Sequence, residues 1–129
     1  MTPAAPTVLV ADDDPLARMV VEAALAGAGY AVLAAEDGAD AVRVFQASRP
    51  DCVLLDVMMP VLDGFAACRA IRAHPAGGTV PILVLTSRDD VEAIASAYAA
   101  GATDFAQKGL NPRLLSERVR FLLRTAGLQ

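Results

Sequence analysis

The stretch from Asp51 to Phe65, DCVLLDVMMPVLDGF, joins an apolar run of strand length to an acidic end. The run Cys52 to Leu55 is continuously apolar, the next residue is Asp56, and Pro60 and Gly64 then favour a turn. A lone acid in that position is most simply a residue that solvates the strand end or caps the following turn. A chemical role for Asp56 therefore depends on which other residues the fold brings beside it.

Length and composition describe one globular domain. The chain has 129 residues, of which 55% are hydrophobic and 20% are charged, and its mean hydropathy is +0.44. We expect a single domain over residues 1–129, with its core at about 7–124, either alone or as the N-terminal part of a longer protein. The net charge of -4 and the isoelectric point near 4.8 disfavour direct nucleic-acid binding by this domain. The sequence contains neither a signal-peptide pattern nor an apolar stretch of membrane-spanning length, which predicts a cytoplasmic protein without membrane contact.

Short apolar runs alternate with helical patterns along the chain. The predicted strands are Thr7–Ala11, Ala31–Ala35, Cys52–Asp56, Pro81–Thr86 and Thr103–Gln107. The predicted helices run from Pro15 to Ala28, from about Gly38 to Ser48, from about Gly64 to Ala73, from Asp89 or Asp90 to Gly101, and from Asn111 and Pro112 onward. Asp14 is a good N-cap for the first helix, and Gly27 or Gly29 can take the positive φ at its end. Such alternation predicts an α/β fold, a doubly wound parallel five-stranded sheet with helices on both faces.

In a flavodoxin-like (βα)5 sheet of strand order 2-1-3-4-5, ligands bind beyond the carboxyl ends of the strands, between the first and third strands. The residues at the predicted strand ends are polar: Asp12, Asp13 and Asp14 after the first strand, Asp56 at the end of the third, Thr86 and Ser87 at the fourth, and Lys108 after the fifth. Crowded carboxylates repel one another unless one is protonated or a cation lies between them. Carboxylate oxygens with room for water suit Mg²⁺, and with a lysine and a hydroxyl nearby the set predicts phosphoryl transfer with Asp56 as nucleophile.

Each of these polar residues also has an ordinary interpretation. Asp12 and Asp13 could be first-turn acids at a helix N-terminus, Thr86 a strand-end cap, and Lys108 a solvated loop residue. Singly, that interpretation is the simpler one. Jointly it fails, because unrelated surface residues would not all fall at the carboxyl ends of strands.

The sequence resembles the receiver domain of bacterial two-component response regulators over about Thr7 to Arg124. The matching motifs are VLVADDDP with Asp12 and Asp13, DCVLLDVMMPVLDG with Asp56, PILVLTS with Thr86, and GATDFAQKG with Lys108. The resemblance implies that a sensor histidine kinase or a phosphotransfer protein phosphorylates Asp56, with Mg²⁺ as cofactor. It also implies a self-phosphorylating and self-dephosphorylating switch rather than a turnover enzyme.

The resemblance assigns a role to each metal-binding residue. Asp13 and Asp56 would bind Mg²⁺ directly, Asp12 would act through water, and the backbone carbonyl of Met58 would complete the protein ligands.

The same resemblance assigns the switch. Thr86 and Lys108 would bind phosphoryl oxygens, and Phe105 would fill the space that Thr86 leaves. The surface of the fourth helix, fifth strand and fifth helix would then control an output domain or partner protein, with a possible link between phosphorylation and dimerisation. The segment DFAQKGLNPRLLSERVRFLLR is similar to receivers fused to domains of cyclic-dinucleotide signalling.

Two positions depart from the family pattern. Phe105 stands where tyrosine is common, so its burial can report the state without a hydroxyl. Gly109 stands where the family usually has a proline after a cis bond. A cis bond before another residue costs about 2.5–4 kcal/mol, so we expect a trans Lys108–Gly109 peptide, with glycine's free φ still delivering Lys108 to the site.

Three other functions are less compatible with the residues. A flavodoxin-like FMN binder needs a phosphate-binding loop of Ser, Thr and Gly after the first strand, where this chain has DDDP. A dehalogenase-like phosphatase needs a second aspartate two residues after the nucleophile, where Met58 stands. A degenerate receiver, acting as a phosphorylation-independent binding module, would not be expected to retain Asp12, Asp13, Asp56, Thr86 and Lys108 together.

Overall fold

The computed structural model describes residues 4–87 and 91–127, in which strands and helices alternate. The strands are β1 (Thr7–Ala11), β2 (Ala31–Ala35), β3 (Cys52–Asp56), β4 (Ile82–Thr86) and β5 (Asp104–Gln107). The helices are α1 (Pro15–Gly27), α2 (Gly38–Ser48), α3 (Gly64–Ala73), α4 (Val91–Ala99) and α5 (Pro112–Thr125). All neighbouring strands are parallel, in the order β2-β1-β3-β4-β5. The predicted flavodoxin-like (βα)5 fold is confirmed.

The strand boundaries match the prediction except at two starts. β4 begins at Ile82 rather than Pro81, and β5 begins at Asp104 rather than Thr103. Proline has no N–H to donate to a ladder, and Thr103 uses its hydroxyl to accept the N–H of Ile82. Both residues therefore lead into their strands without belonging to them.

Helix ends follow the capping residues that the sequence provides. Asp14 caps α1 by accepting the N–H of Leu16, and Asn111 caps α5 in the same way. α1 ends one residue earlier than predicted, and of the two candidate glycines Gly29 has the positive φ, at 99°. α4 ends at Ala99 rather than Gly101, and its predicted start at Asp89 or Asp90 lies outside the described residues.

The core consists of two apolar clusters, one on each face of the sheet. Successive residues of β3 contribute to opposite clusters, because side chains alternate across a strand. Val53 and Leu55 pack with Phe45 of α2 and Ile71 of α3, whereas Leu54 packs with the residues of α1 and α5. β3 is thus buried on both faces up to its last residue, Asp56.

Within residues 4–87 and 91–127, none of the helices has the length and apolar character needed to cross a membrane.

Candidate functional site

Three carboxylates converge at the carboxyl ends of β1 and β3. One oxygen from each of Asp12, Asp13 and Asp56 lies within 4.8 Å of the others. Asp56 is 1% exposed and Asp12 is 5% exposed, while Asp13 is exposed to solvent. A set made only of carboxylate oxygens, open to water on one side, fits Mg²⁺. The predicted convergence of these three acids is therefore what the structure shows.

Lys108, the only lysine of the chain, lies opposite the acids. Its Nζ is 2.8 Å from Oδ2 of Asp56 and 3.4 Å from Oδ1 of Asp12. Its backbone N–H donates to the carbonyl of Thr86, at 2.8 Å, so the side chain starts from a fixed point at the end of β4. Among the residues that the structure describes, one lysine ammonium faces three carboxylates, so this group of side chains has excess negative charge.

Burial and neighbouring charges have opposing effects on the pKa values of Asp56 and Lys108. Burial raises the pKa of the Asp56 carboxyl, the contact with Lys108 lowers it, and the charges of Asp12 and Asp13 raise it again, so that the pKa lies above its ordinary value. Burial lowers the pKa of Lys108, but the bonds and charges of Asp56 and Asp12 outweigh it, so that this pKa is raised. Asp56 is therefore a carboxylate whose negative charge is only partly compensated, and an added cation would stabilise it.

The loop after Lys108 has the expected backbone. The Lys108–Gly109 peptide is trans, which confirms the prediction, and Gly109 has a φ of 89°. A side chain on Gly109 would have open space around it, so the positive φ is the physical reason for glycine at this position.

The loop from β3 to α3, which follows Asp56, contains a strained turn. Val61 has a φ of 70°, and the N–H of Leu62 donates to the carbonyl of Pro60 at 2.7 Å, which closes a three-residue γ-turn. A positive φ is unfavourable for a β-branched residue. The turn predicted at Pro60 is therefore present, and the surrounding structure must hold it in place.

Two helix starts hold that loop. A Cβ atom on Gly38, the first residue of α2, would overlap the carbonyl oxygen of Leu62, and one on Gly64, the first residue of α3, would overlap the carbonyl oxygen of Asp56. The backbone of the loop consequently passes directly against both helices. The close approach of the Asp56 carbonyl is the physical reason why glycine stands at position 64, where the sequence predicted a turn.

The other predicted site residues lie around this centre. Thr86 is buried at the end of β4, whereas Met58, in the loop after β3, is 72% exposed. Phe105 is half-buried on β5, and its ring meets the Tyr98 ring of α4 edge-on, with 6.1 Å between centroids. A cavity of about 280 Å³ opens beside Thr86, between the loop after β3 and α4.

Sequence reasoning missed two residues next to the site. Arg18 of α1 donates from Nη1 to the backbone carbonyl of Asp12 at 2.8 Å. Gly38 supports the loop after β3, as described above. The sequence does contain a signal for Arg18. It lies in the first turn of a helix that begins directly after the acids, so its side chain can reach them. For Gly38 the sequence offers no comparable signal, because its partner Leu62 is remote along the chain.

Comparison with known proteins agrees with this geometry. The family model of the response regulator receiver domain matches residues 8–120. The chain is 36% identical to the chemotaxis protein CheY4 of Vibrio cholerae, with a TM-score of 0.89 over 93% of this chain and 100% of that one. It is also 36% identical to the receiver domain of the sensor histidine kinase PA1611 of Pseudomonas aeruginosa, with a TM-score of 0.84 over 96% of this chain and 99% of that one. That neighbour is described with a magnesium ion coordinated in its active-site cleft.

Curated relatives are longer proteins. The chain is 44% identical over 117 residues to the response regulator MprA of Mycolicibacterium vanbaalenii, which covers 91% of this chain and 50% of that protein. It is 39% identical over 117 residues to a protein of Cyanophora paradoxa named "Probable transcriptional regulator ycf27", covering 91% of this chain and 48% of that one. The chain thus spans about half the length of these relatives. By its fold, its acidic site and these matches, the chain belongs to the response regulator receiver domains of two-component signalling.

Proposed function

We propose that this receiver domain is a Mg²⁺-dependent phosphoacceptor that takes its phosphoryl group on Asp56. The supporting observation is the position of this carboxylate, 1% exposed, 2.8 Å from the Lys108 ammonium and beside Asp12 and Asp13. In the proposed reaction a carboxylate oxygen of Asp56 attacks the phosphorus of a phosphohistidine. The P–N bond breaks, and the imidazole of the donor leaves with the electron pair. The donor is a sensor histidine kinase or a phosphotransfer protein.

The residues divide between holding the cation and binding the phosphoryl group. Asp13 and Asp56 would bind Mg²⁺ directly, Asp12 through water, and Met58 through its carbonyl. Bound Mg²⁺ supplies positive charge for the oxygens of the transferring group. Lys108 would exchange its contact with Asp56 for one with a phosphoryl oxygen, and the hydroxyl of Thr86 would bind another.

The proposed output is a change of the surface made by α4, β5 and α5. Movement of Thr86 toward the phosphoryl group would leave space for the Phe105 ring, which now lies against Tyr98. The domain acts as a cytoplasmic switch that phosphorylates and dephosphorylates itself, rather than as a turnover enzyme. Dimerisation linked to phosphorylation belongs to the same proposal.

The regulated activity belongs to an output domain or a partner protein. The relatives are about twice as long, and one is named a transcriptional regulator. Control of transcription is therefore better supported as the output than cyclic-dinucleotide signalling. Any DNA binding would reside outside this acidic domain, whose net charge is -4.

The test is intact-mass analysis after incubation with a small phosphodonor, with and without Mg²⁺. We expect one added phosphoryl group in the parent, only with Mg²⁺ present, and none in Asp56→Asn. Asp63→Asn is the matched control, because Asp63 is an exposed acid of the same loop and asparagine retains its capping of α3. Full phosphorylation of Asp56→Asn would overturn the assignment of the acceptor. A parent that gains no phosphoryl group would favour the phosphorylation-independent binding module.

A further inference from the structure

The backbone of Asp12 is fixed on both sides of the residue. Its N–H donates to the carbonyl of Ala35, at the end of β2, at 3.1 Å. Its carbonyl accepts a hydrogen bond from Nη1 of Arg18 at 2.8 Å. Oδ1 of its side chain also accepts the N–H of Asp14 at 3.0 Å. The acidic loop between β1 and α1 therefore has a defined conformation, although its carboxylates repel one another.

Arg18 is itself held in place. It lies on α1 with a side chain 20% exposed, and its Nε is 3.5 Å from Oε1 of Glu22, one helical turn further on. The contact that it makes with the acidic loop is to a backbone carbonyl, not to a carboxylate. Its guanidinium therefore fixes where the Asp12–Asp13 backbone lies without neutralising either acid.

We propose that Arg18 is a positioning residue for the cation site. Through the carbonyl of Asp12 it holds the acidic loop so that Asp12 and Asp13 face Asp56 before a cation binds. The proposal rests on the Mg²⁺ binding proposed above. A ligand arrangement that is already formed binds its metal more tightly than one that must be assembled, and removal of such a supporting hydrogen bond typically weakens metal binding 10- to 100-fold.

The charge of Arg18 and its positioning act in opposite directions on the affinity for Mg²⁺. A positive charge near the site repels the cation, so its removal alone would tighten binding. Loss of the hydrogen bond to Asp12 would weaken binding. The sign of the change on substitution therefore separates positioning from simple electrostatics.

The experiment is a Mg²⁺ titration of the ¹⁵N-labelled domain, with the affinity taken from amide chemical shifts. We expect about tenfold weaker binding in Arg18→Met, at the lower end of the usual range because the site is open to water. Arg18→Lys keeps the charge and one donor, and its affinity should lie between those of the parent and Arg18→Met. Arg43→Met is the matched control, because Arg43 is exposed and forms an ion pair with the side chain of Asp40. This control should bind Mg²⁺ as tightly as the parent, or more tightly.

Each outcome tests either the proposed Mg²⁺ binding or the proposed role of Arg18. A parent without Mg²⁺-dependent shifts would refute the proposed cofactor, and with it the basis of the Arg18 proposal. A parent that binds Mg²⁺ while Arg18→Met binds equally or more tightly would overturn the role of Arg18 alone. Equal weakening in Arg43→Met would overturn it as well. Spectra of the metal-free variants establish that they are folded, and Arg18→Gln repeats the test if Arg18→Met is not.

Discussion

Arg72 and Lys108 are two partly buried cations at opposite ends of the sheet, and their partners differ. Arg72 of α3 lies at the amino ends of β4 and β5 and makes four hydrogen bonds, all to neutral acceptors: the carbonyls of Gly77, Val80 and Gly101 and the hydroxyl of Thr103. Lys108 lies at the carboxyl ends of the strands and contacts two charged acceptors, Asp56 and Asp12.

The difference shows how one fold separates stability from chemistry. At the amino ends, Arg72 joins α3 to the segments that enter β4 and β5, and its four hydrogen bonds place its charge against the dipoles of carbonyls and a hydroxyl. At the carboxyl ends, the acids outnumber the lysine, and negative charge is left for a cation to compensate. We therefore expect changes around Arg72 to affect folding alone, and changes around Lys108 to depend on Mg²⁺.

The largest expected effect is that of Arg72→Met. The substitution removes the hydrogen bonds of Arg72 to three carbonyls and to the hydroxyl of Thr103, which keeps only the N–H of Ile82. We expect the free energy of unfolding to fall by about 3 kcal/mol. Denaturant unfolding measures this loss, and the added stability that saturating Mg²⁺ confers should equal that of the parent. Arg69→Met, at an exposed position of the same helix, is the control and should change stability little. A loss below about 1 kcal/mol for Arg72→Met would contradict the structural role of Arg72.

A matched pair of glycines sharpens the comparison. A Cβ on Gly77 would overlap the carbonyl of Ile71 near Arg72, and a Cβ on Gly64 would overlap the carbonyl of Asp56. We expect both Gly77→Ala and Gly64→Ala to lower the free energy of unfolding by about 1–3 kcal/mol, since each crowds a backbone atom. Only Gly64→Ala should also weaken Mg²⁺ binding, because only this substitution forces the loop between β3 and α3, which follows Asp56, to move. Equal Mg²⁺ affinities in the two variants would show that the loop tolerates the crowding without displacing its ligands.

The smallest expected effect is that of Lys108→Met on the metal-free domain. Asp56 then remains buried beside two carboxylates, and we expect a loss of about 1 kcal/mol near neutral pH, after allowance for the partial exposure of the pair. Mg²⁺ should restore stability and bind more tightly than in the parent, because no ammonium competes with it. Lys108→Arg, which keeps the charge, is the control. Weaker Mg²⁺ binding in Lys108→Met would mean that the lysine supports the site rather than competing with the cation.

The ion pair of Lys108 and Asp56 also predicts how the stability of the metal-free domain depends on pH. Because the folded-state pKa of Asp56 is raised, the folded protein keeps this proton at pH values where the unfolded chain has lost it. The contribution of Asp56 to stability therefore decreases as pH rises from the ordinary pKa of 3.8 through the raised one. Without Lys108, which lowers that pKa, the decrease should extend to higher pH. Thermal unfolding of the metal-free parent and Lys108→Met across this range measures the difference.

Most of the fold and the centre of the site were predictable, for simple physical reasons. Apolar runs bounded by Pro, Gly and Asp mark the strands, and parallel strands bring their carboxyl ends to one edge of the sheet. The convergence of Asp12, Asp13, Asp56 and Lys108 follows from those two facts. The trans peptide at Gly109 follows from the cost of a cis bond before a residue other than proline.

What the sequence did not predict depends on contacts that leave no local pattern. Val61 has a positive φ that its own propensity opposes, and the fold around it overrides that propensity. Gly38 is required by a backbone carbonyl of a distant loop, and Arg18 donates to a main-chain oxygen that every residue possesses. Such contacts depend on three-dimensional placement, which residue type alone does not specify.

The edge contact between Tyr98 and Phe105 has a spectroscopic consequence. The chain contains no tryptophan and two tyrosines, Tyr30 and Tyr98, so its intrinsic fluorescence comes from these two rings. Tyr98 touches the aromatic residue of β5, whereas Tyr30 packs against the apolar cluster on the α1 and α5 face. Any displacement of the Phe105 ring changes the surroundings of one emitter, and the other serves as an internal reference. The domain thus contains its own optical probe, and Tyr30→Phe would leave Tyr98 as a single unlabelled reporter.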